Sequence, residues 1–241
     1  MLFVAFRPQF DKPGVPVFIN RVYTEHFNSK SPMEPLFSSY SSSFLDYNPY
    51  SDGIPAPGSR RLPPHLVMVC KGLRRFTSDF YADSIERWVV SEQFYALLKE
   101  FKLLSNHYEE CKLTVVSTRN QPISDKQYYL IRIFQNDNAL VDFDQSPSVP
   151  STIKPRTKSA PLTLYYPALI FHSAGTVAPM LYLDQKCFRY GFLCNQEVKH
   201  EMEQRDFSGF DFYGLEEFVQ EQLYREQHPD GPPSNGAKRL A

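Results

Sequence analysis

Long apolar stretches, paired cysteines and an excess of charge of one sign are all missing from this chain of 241 residues. No apolar run approaches the roughly 20 residues that a membrane-spanning helix needs, and the apolar start is broken at once by Arg7 and Pro8. The sequence therefore predicts a soluble, cytoplasmic protein without a signal peptide. Lys and Arg number 26 against 27 Asp and Glu, so no overall field attracts nucleic acid or an anionic membrane.

The cysteines do not have the spacing of a metal or redox motif. None of the four cysteines stands in a C-x-x-C pair, and four cysteines are too few for a disulfide-rich fold in a chain of this length. We expect reduced, buried thiols, with neither a metal nor a cofactor, at Cys70, Cys111, Cys187 and Cys194.

The motifs of common enzyme classes are also missing. The chain has no G-x-S-x-G, P-loop, G-x-G-x-x-G or H-E-x-x-H, and the nearest approach, at His200, has no second His four residues on. We therefore expect no catalytic residues. Asp142 and Asp144 alternate along a predicted strand, so an enzyme that uses them with His172 in an aromatic pocket stays open as an alternative.

Aromatic residues are what the chain has in abundance, at 15 % of the total. Together with β-branched residues they favour strands. Strands are predicted at 15–23, 66–70, 113–118, 127–134, 139–143, 162–166, 180–184 and 187–193. An Asn-Asp-Asn turn at 136–138 predicts a hairpin between two of these strands.

Apolar residues at helical spacing predict helices at 91–104, 195–205 and 215–227, the first two capped by Ser91 and Asn195. The fold class is α+β, with a mixed, mainly antiparallel sheet and a few amphipathic helices packed on it. The residues expected in the main core are Phe94, Leu97, Leu98, Phe101, Ile131 and Ile133.

Three stretches have the composition of loop or tail. Residues 28–65 hold nine Ser and seven Pro, which predicts a long loop. Residues 145–161 carry three bases and no acid, which predicts a basic loop, and residues 228–241 resemble a disordered tail. Residues 1–227, with the two loops included, are predicted to form a single α+β domain.

Two segments of the chain share one pattern of strand, polar cap and amphipathic helix. When the two segments are aligned with Ser91 against Asn195, Phe94 aligns with Val198 and Leu98 with Met202. The agreement fits either a degenerate internal duplication or a coincidence between two common arrangements.

Residues 195–230 contain ten acids and three bases, a net charge of −7. The acidic strand-helix-strand-helix module at 187–227 is either a docking face for a cationic partner or a solvated surface. We predict that the partner is contacted by acids that stand at helical spacing and by aromatic side chains that act as anchors. These residues are Glu197, Glu201, Glu217, Glu221, Phe212, Tyr213, Tyr40, Tyr47 and Tyr50.

Residues 88–94 (WVVSEQF), 190–198 (YGFLCNQEV) and 207–212 (FSGFDF) resemble bacterial immunity families eleven and forty-three. These are cytoplasmic inhibitors encoded beside polymorphic or contact-delivered toxins. The resemblance covers the last 60 residues or so well and leaves the Ser- and Pro-rich N-terminal quarter unmatched. It implies a protein without catalytic residues that occludes one cognate toxin, for example a nuclease. An adaptor or chaperone for a secreted effector is a further alternative. Such a protein would promote delivery of the effector, whereas an immunity protein protects a poisoned cell.

Overall fold

The computed structural model describes residues 1–6, 15, 19–33, 56, 58–59, 61–83, 87–104, 108–154, 162–172 and 178–228. The helices are α1 (Glu92–Glu100), α2 (Gln196–Gln204) and α3 (Leu215–Gln227). The strands are β1 (Leu2–Phe6), β2 (Asn20–Thr24), β3 (His65–Lys71), β4 (Phe80–Ala82), β5 (Arg87–Ser91), β6 (Tyr108–Ser117), β7 (Tyr128–Ile133), β8 (Val141–Asp142), β9 (Val149–Pro150), β10 (Leu164–Tyr165), β11 (Ile170–Phe171), β12 (Met180–Leu181), β13 (Gly191–Asn195) and β14 (Asp211–Gly214).

The chain divides into two compact units. Unit 1 comprises Met1–Phe6, Asn136–Glu203 and Asp211–Ala241, and unit 2 comprises Arg7–Gln135 and Gln204–Phe210. Each unit has its own sheet and its own apolar core. That residues 1–227 act as one domain stays a prediction.

Unit 2 contains a six-stranded sheet in the order β2-β3-β6-β7-β5-β4, in which β3 and β6 are parallel and the other neighbours antiparallel. Of the six residues predicted for the core, five are buried: Phe94, Leu97, Leu98, Ile131 and Ile133. Phe101 is half-buried, which corrects the prediction, because α1 ends at Glu100 and Lys102 turns to a φ of 58°.

Unit 1 is built on a four-stranded antiparallel sheet in the order β12-β13-β1-β14. Its central strand β1 was absent from the strands predicted above. Val4 and Ala5 on β1 are completely buried. Gly191 lies opposite β1, and a Cβ there would come within 2.2 Å of the Ala5 carbonyl oxygen, so only glycine fits.

The two segments that share the strand-cap-helix pattern also share a topology. In unit 2, β5 leads into α1 and then β6, and β7 lies between β5 and β6, antiparallel to both. In unit 1, β13 leads into α2 and then β14, and β1 lies between them, antiparallel to both. Short β4 and β12 pair with the outer edges of β5 and β13. The shared strand order supports a duplication in which the central strand comes from a different part of the chain.

The α+β class with mainly antiparallel sheet and three amphipathic helices is confirmed. The hairpin predicted at 136–138 is wrong, because β8 pairs with β11 and β7 lies between β5 and β6. The predicted strand at 187–193 begins only at Gly191. The basic stretch 145–161 is not loop throughout, because it contains β9. Much of the predicted 28–65 loop and most of the predicted tail lie outside the described residues.

Between β8 and β11 the chain forms one nested antiparallel pairing in unit 1. β8 pairs with β11, and β9, which follows β8, pairs with β10, which precedes β11. We call the described residues 140–154 and 162–172 the paired arm. Its inner residues join the apolar core of unit 1.

Candidate partner-binding surface

Helix α2 begins where the Asn195 side chain accepts a hydrogen bond of 2.9 Å from the Val198 N–H. Val198 and Met202 are buried on its inner face. The one base of this helix, Lys199, is turned inward: its Nζ lies 2.6 Å from Glu203 and over the Phe3 and Phe212 rings. Lys199 therefore neutralises Glu203 and is not available to pair with the acids on the outer face of α2.

The other two Lys or Arg residues of 195–230 are also engaged. Arg225 lies 3.1 Å from Glu221 within α3, and Glu221 is 1 % exposed. Arg205 lies 3.0 Å from Glu100 of α1. Among the described residues, these bases form no ion pair with Glu197 or Glu216.

The sheet of unit 1 brings the starts of α2 and α3 to one edge. Because β13 and β14 are both antiparallel to β1, they run the same way, and their last residues pair with adjacent residues of β1: Asn195 with Leu2 and Gly214 with Phe3. Two strand spacings separate the helix starts, about 10 Å. First-turn acids of both helices therefore share this edge.

We call Glu197 and Glu201 of α2, together with Glu216 of α3, the acidic edge. Glu197 and Glu216 are exposed, and Glu201, one turn beyond Glu197, is half-buried. Among the described residues no ion pair reaches Glu197 or Glu216. At Glu197 and Glu216, a positively charged partner would therefore meet exposed carboxylates that no described base pairs with.

The other predicted contacts lie elsewhere. Glu217 is half-buried and accepts a 3.4 Å hydrogen bond from the Gly214 N–H, so it caps α3, and Glu221 is buried in its pair with Arg225. Tyr213 is buried in the core of unit 1, while Phe212 is half-buried against Lys199. Tyr40, Tyr47 and Tyr50 lie outside the described residues. That any of them contacts a toxin stays a prediction.

The three residues of the enzyme alternative are only partly brought together. His172 Nδ1 lies 3.8 Å from Asp142 Oδ2, and both side chains reach solvent. Asp144 stands in the turn after β8 and not on the strand with Asp142, which corrects that prediction. Within the described part of the chain, no group of three or more His, Cys, Asp or Glu is arranged to hold a metal ion.

All four cysteines are free and buried, as the sequence predicts. Burial raises the pKa of each of these thiols to about 12, so none of them is a thiolate at neutral pH.

Two carboxylates that organise the fold, the buried Asp79 and the half-buried Glu226, were missed by sequence reasoning. Asp79 in unit 2 accepts hydrogen bonds from Ser91 Oγ and Lys126 Nζ, each 2.7 Å, and from the Ser208 N–H and Oγ, each 3.0 Å. Its partners are up to 129 residues away in sequence, so no local motif signals this site.

The second carboxylate, Glu226 at the end of α3, accepts hydrogen bonds from Ser151, from the Thr152 N–H and Oγ1, and from the Tyr165 hydroxyl. Burial raises the pKa of Glu226, but these donors outweigh it, and the net pKa lies below the ordinary value. Burial and the neighbouring carboxylate raise the pKa of Tyr165. Glu226 thereby fixes the paired arm to α3.

No helix in the described ranges has the length and apolarity to cross a membrane. A search of curated proteins returned no match. Residues 9–228 match the family described as Immunity protein 43, and the match includes the N-terminal quarter that the resemblance had left unmatched. Because the match spans nearly the whole sequence, the chain belongs to the Immunity protein 43 family, an immunity protein family of polymorphic toxin systems.

Proposed function

We propose that this chain binds one cognate toxin and neutralises it by covering the toxin's active or substrate-binding site, with no chemistry of its own. Inhibition of this kind needs only a complementary interface, typically about 1,200–2,000 Å² in total. The acidic edge is the proposed electrostatic part of that interface.

The observation that carries this proposal is the charge of Glu197 and Glu216, which no base in the described part of the chain pairs with. Lys199, Arg225 and Arg205, the three bases of residues 195–230, are held by Glu203, Glu221 and Glu100. Carboxylates left in this state raise association rates with a positively charged partner and exclude partners of like charge.

A nuclease is the toxin class that best fits such a surface. A nucleic-acid site must be basic in order to hold phosphates, and carboxylates at the start of two helices can occupy the same positions as phosphate charges. Glu197 and Glu216 lie at the sheet edge, where both helices begin, so one basic cleft can reach both.

The test is binding of the purified chain to the product of the neighbouring toxin gene, measured by calorimetry over a range of salt concentrations. We expect the double variant Glu197→Lys and Glu216→Lys to weaken the Kd by about tenfold or more and to reduce the salt dependence, because like charges then face each other. The matched control is Asp125→Lys in unit 2, a charge reversal at a side chain that is 76 % exposed.

Equal binding by the double variant and the parent would contradict the role of the acidic edge. An adaptor for a secreted effector is distinguished by a second readout. An adaptor would increase the amount of toxin delivered, whereas the proposed inhibitor lowers the toxin's activity in a purified mixture.

A further inference from the structure

One end of the sheet of unit 2 carries a local excess of positive charge. Because β3 and β6 are parallel, with Cys70 opposite Ser117, their last residues lie at the same end of the sheet. Residues 71–79 and 117–126, at and after the ends of these strands, contain five bases and two acids. All five bases are exposed, and we call them the basic rim: Lys71, Arg74, Arg75, Arg119 and Lys126.

Backbone hydrogen bonds hold the two segments of the rim against the sheet. Arg119 stands in the turn directly after β6. The Ile123 N–H then donates to the Val115 carbonyl of β6, and the Ile123 carbonyl accepts a 2.8 Å hydrogen bond from the Phe76 N–H. The segment after β3 is therefore tied to the segment after β6, and the backbone that carries the bases is fixed on one surface.

Two of the five bases are already paired with the two acids of these segments. Arg75 lies 3.8 Å from Asp125, and Lys126 lies 2.7 Å from Asp79. In the described part of the chain, no ion pair reaches the other three bases, which are Lys71, Arg74 and Arg119. The net charge of +3 that the two segments carry is therefore presented to solvent by three side chains.

The rim segments account for the net charge of unit 2. That unit contains 17 Lys and Arg against 14 Asp and Glu, which is the same net charge of +3. Residues 195–230, with their net charge of −7, bring the whole chain close to zero. The overall charge therefore does not describe the rim, where the local field is positive.

The rim lacks the apolar anchors of a protein interface. Among the described residues, all six exposed large hydrophobic residues belong to unit 1 and none belongs to unit 2. Protein interfaces depend on large side chains that fill pockets at their centre, whereas contacts to phosphates depend on charge. The chemistry of the rim therefore favours a polyphosphate chain over an acidic protein.

The one aromatic residue of the two rim segments indicates which form of nucleic acid fits. This residue, Phe76, is completely buried, so it offers no ring on which a base could stack. Binding of single strands relies on such stacking. A duplex keeps its bases stacked inside and presents its phosphates outside, which matches a surface of bases without rings.

We propose that the basic rim binds the phosphate backbone of double-stranded nucleic acid without regard to base sequence. Lys71, Arg74 and Arg119 each contact one phosphate and release the counterions condensed there. This inference goes beyond inhibition of a toxin and does not involve the acidic edge.

The test is binding of the purified full chain to a fluorescent DNA duplex of roughly 20 base pairs, measured by anisotropy over a range of salt concentrations. Three phosphate contacts predict that the logarithm of the binding constant falls with the logarithm of the salt concentration with a slope of about −2.7. Binding should therefore weaken about fortyfold between about 50 and 200 mM salt. A duplex of unrelated sequence should bind equally, because phosphate contacts carry no sequence information.

Neutralising the three unpaired bases tests the assignment of the rim. Lys71→Gln, Arg74→Gln and Arg119→Gln should each reduce the steepness of the salt dependence by about 0.9, and the triple variant should bind about tenfold or more weakly at low salt. The matched control changes to Gln three exposed lysines outside the rim segments and should keep the parent's salt dependence. These lysines are Lys102, Lys154 and Lys186. Both triple variants should keep the parent's melting temperature, because exposed charges contribute little to stability.

A parent protein that does not bind the duplex at low salt would overturn the proposal, as would equal binding by the rim variant and its control. Tighter binding to a single strand than to the duplex would also overturn it. So would rim-dependent binding to phosphatidylserine vesicles without binding to the duplex, which would assign the rim to a membrane surface. Because this assay contains no toxin, its failure and a failure of the proposed function are separate results.

Discussion

Replacing Asp79 by Ala should destabilise unit 2 more than any exposed charge change. The carboxylate is 4 % exposed and holds Ser91 of the α1 cap, Lys126 before β7 and Ser208. Without it, the Lys126 ammonium can turn to solvent because it is 35 % exposed, but the Ser208 N–H loses its buried acceptor. Each donor left without its acceptor costs about 1–3 kcal/mol, and Ser91 Oγ and the Ser208 N–H are two such donors.

For a protein of this size a total of about 2–6 kcal/mol lowers the melting temperature by roughly 4–24 °C. Calorimetry and urea unfolding should both report it, with Asp125→Ala as the control, since the 76 % exposed Asp125 has only a 3.8 Å pair with Arg75. An Asp79→Ala protein within about 1 kcal/mol of the parent would show that water replaces the network at little cost, and the reasoning would be refuted.

Three further changes test the core, a glycine and the paired arm. Leu98→Ala should cost about 2–5 kcal/mol in urea unfolding, because the side chain is completely buried. Gly209→Ala should lower the melting temperature well below that of Gly72→Ala: both have a positive φ, but only at Gly209 would the Cβ meet a backbone oxygen, at 2.0 Å. In the folded protein the pKa of Glu226 lies below its ordinary value of 4.5. The stability that its ionised form contributes is therefore complete above pH 4.5 and is lost as the pH falls through the pKa of the folded state. The stability gap between the parent and Glu226→Gln should therefore be constant near neutral pH and shrink under acid, and a gap that grows under acid would contradict the hydrogen bonds assigned to it.

The helix starts were predictable from sequence because their determinants are local. Ser91 and Asn195 each accept a hydrogen bond from the N–H three residues on, and the residue type and spacing already specify this bond. The burial of Phe94, Leu98 and Val198 was also predictable, because the apolar residues of these helices recur at helical spacing.

Strand β1 was not predictable in this way. Its residues are apolar on both faces, so they lack the alternation of a half-buried strand. Its partners, β13 and β14, lie about 190 residues or more along the chain, and a local pattern carries no information about them.

The turn at 136–138 shows the same limit. The predicted hairpin assumed that the polar run folds β7 back on the next strand. Instead the Asp137 N–H and carboxylate pair with the backbone of Tyr182, and the Asn138 side chain accepts from the Asp184 N–H. Residues suited to a turn are used here to bind a distant segment.

For the candidate site, the sequence indicates where acids are dense but not which of them are available. Glu197 and Glu221 look alike as members of helical acid pairs. The structure separates them, since Glu221 is buried against Arg225 and Glu197 is exposed. The inward turn of Lys199 onto two rings depends on packing between elements, which spacing alone does not specify.

The most direct test of the proposed function is growth of cells that express the neighbouring toxin gene together with this chain. We expect the parent and Asp125→Lys to restore growth, and the double variant Glu197→Lys and Glu216→Lys to fail at equal protein abundance. Failure of the parent to protect would contradict the immunity function itself. Full protection by the double variant would contradict the claim that the acidic edge carries toxin binding.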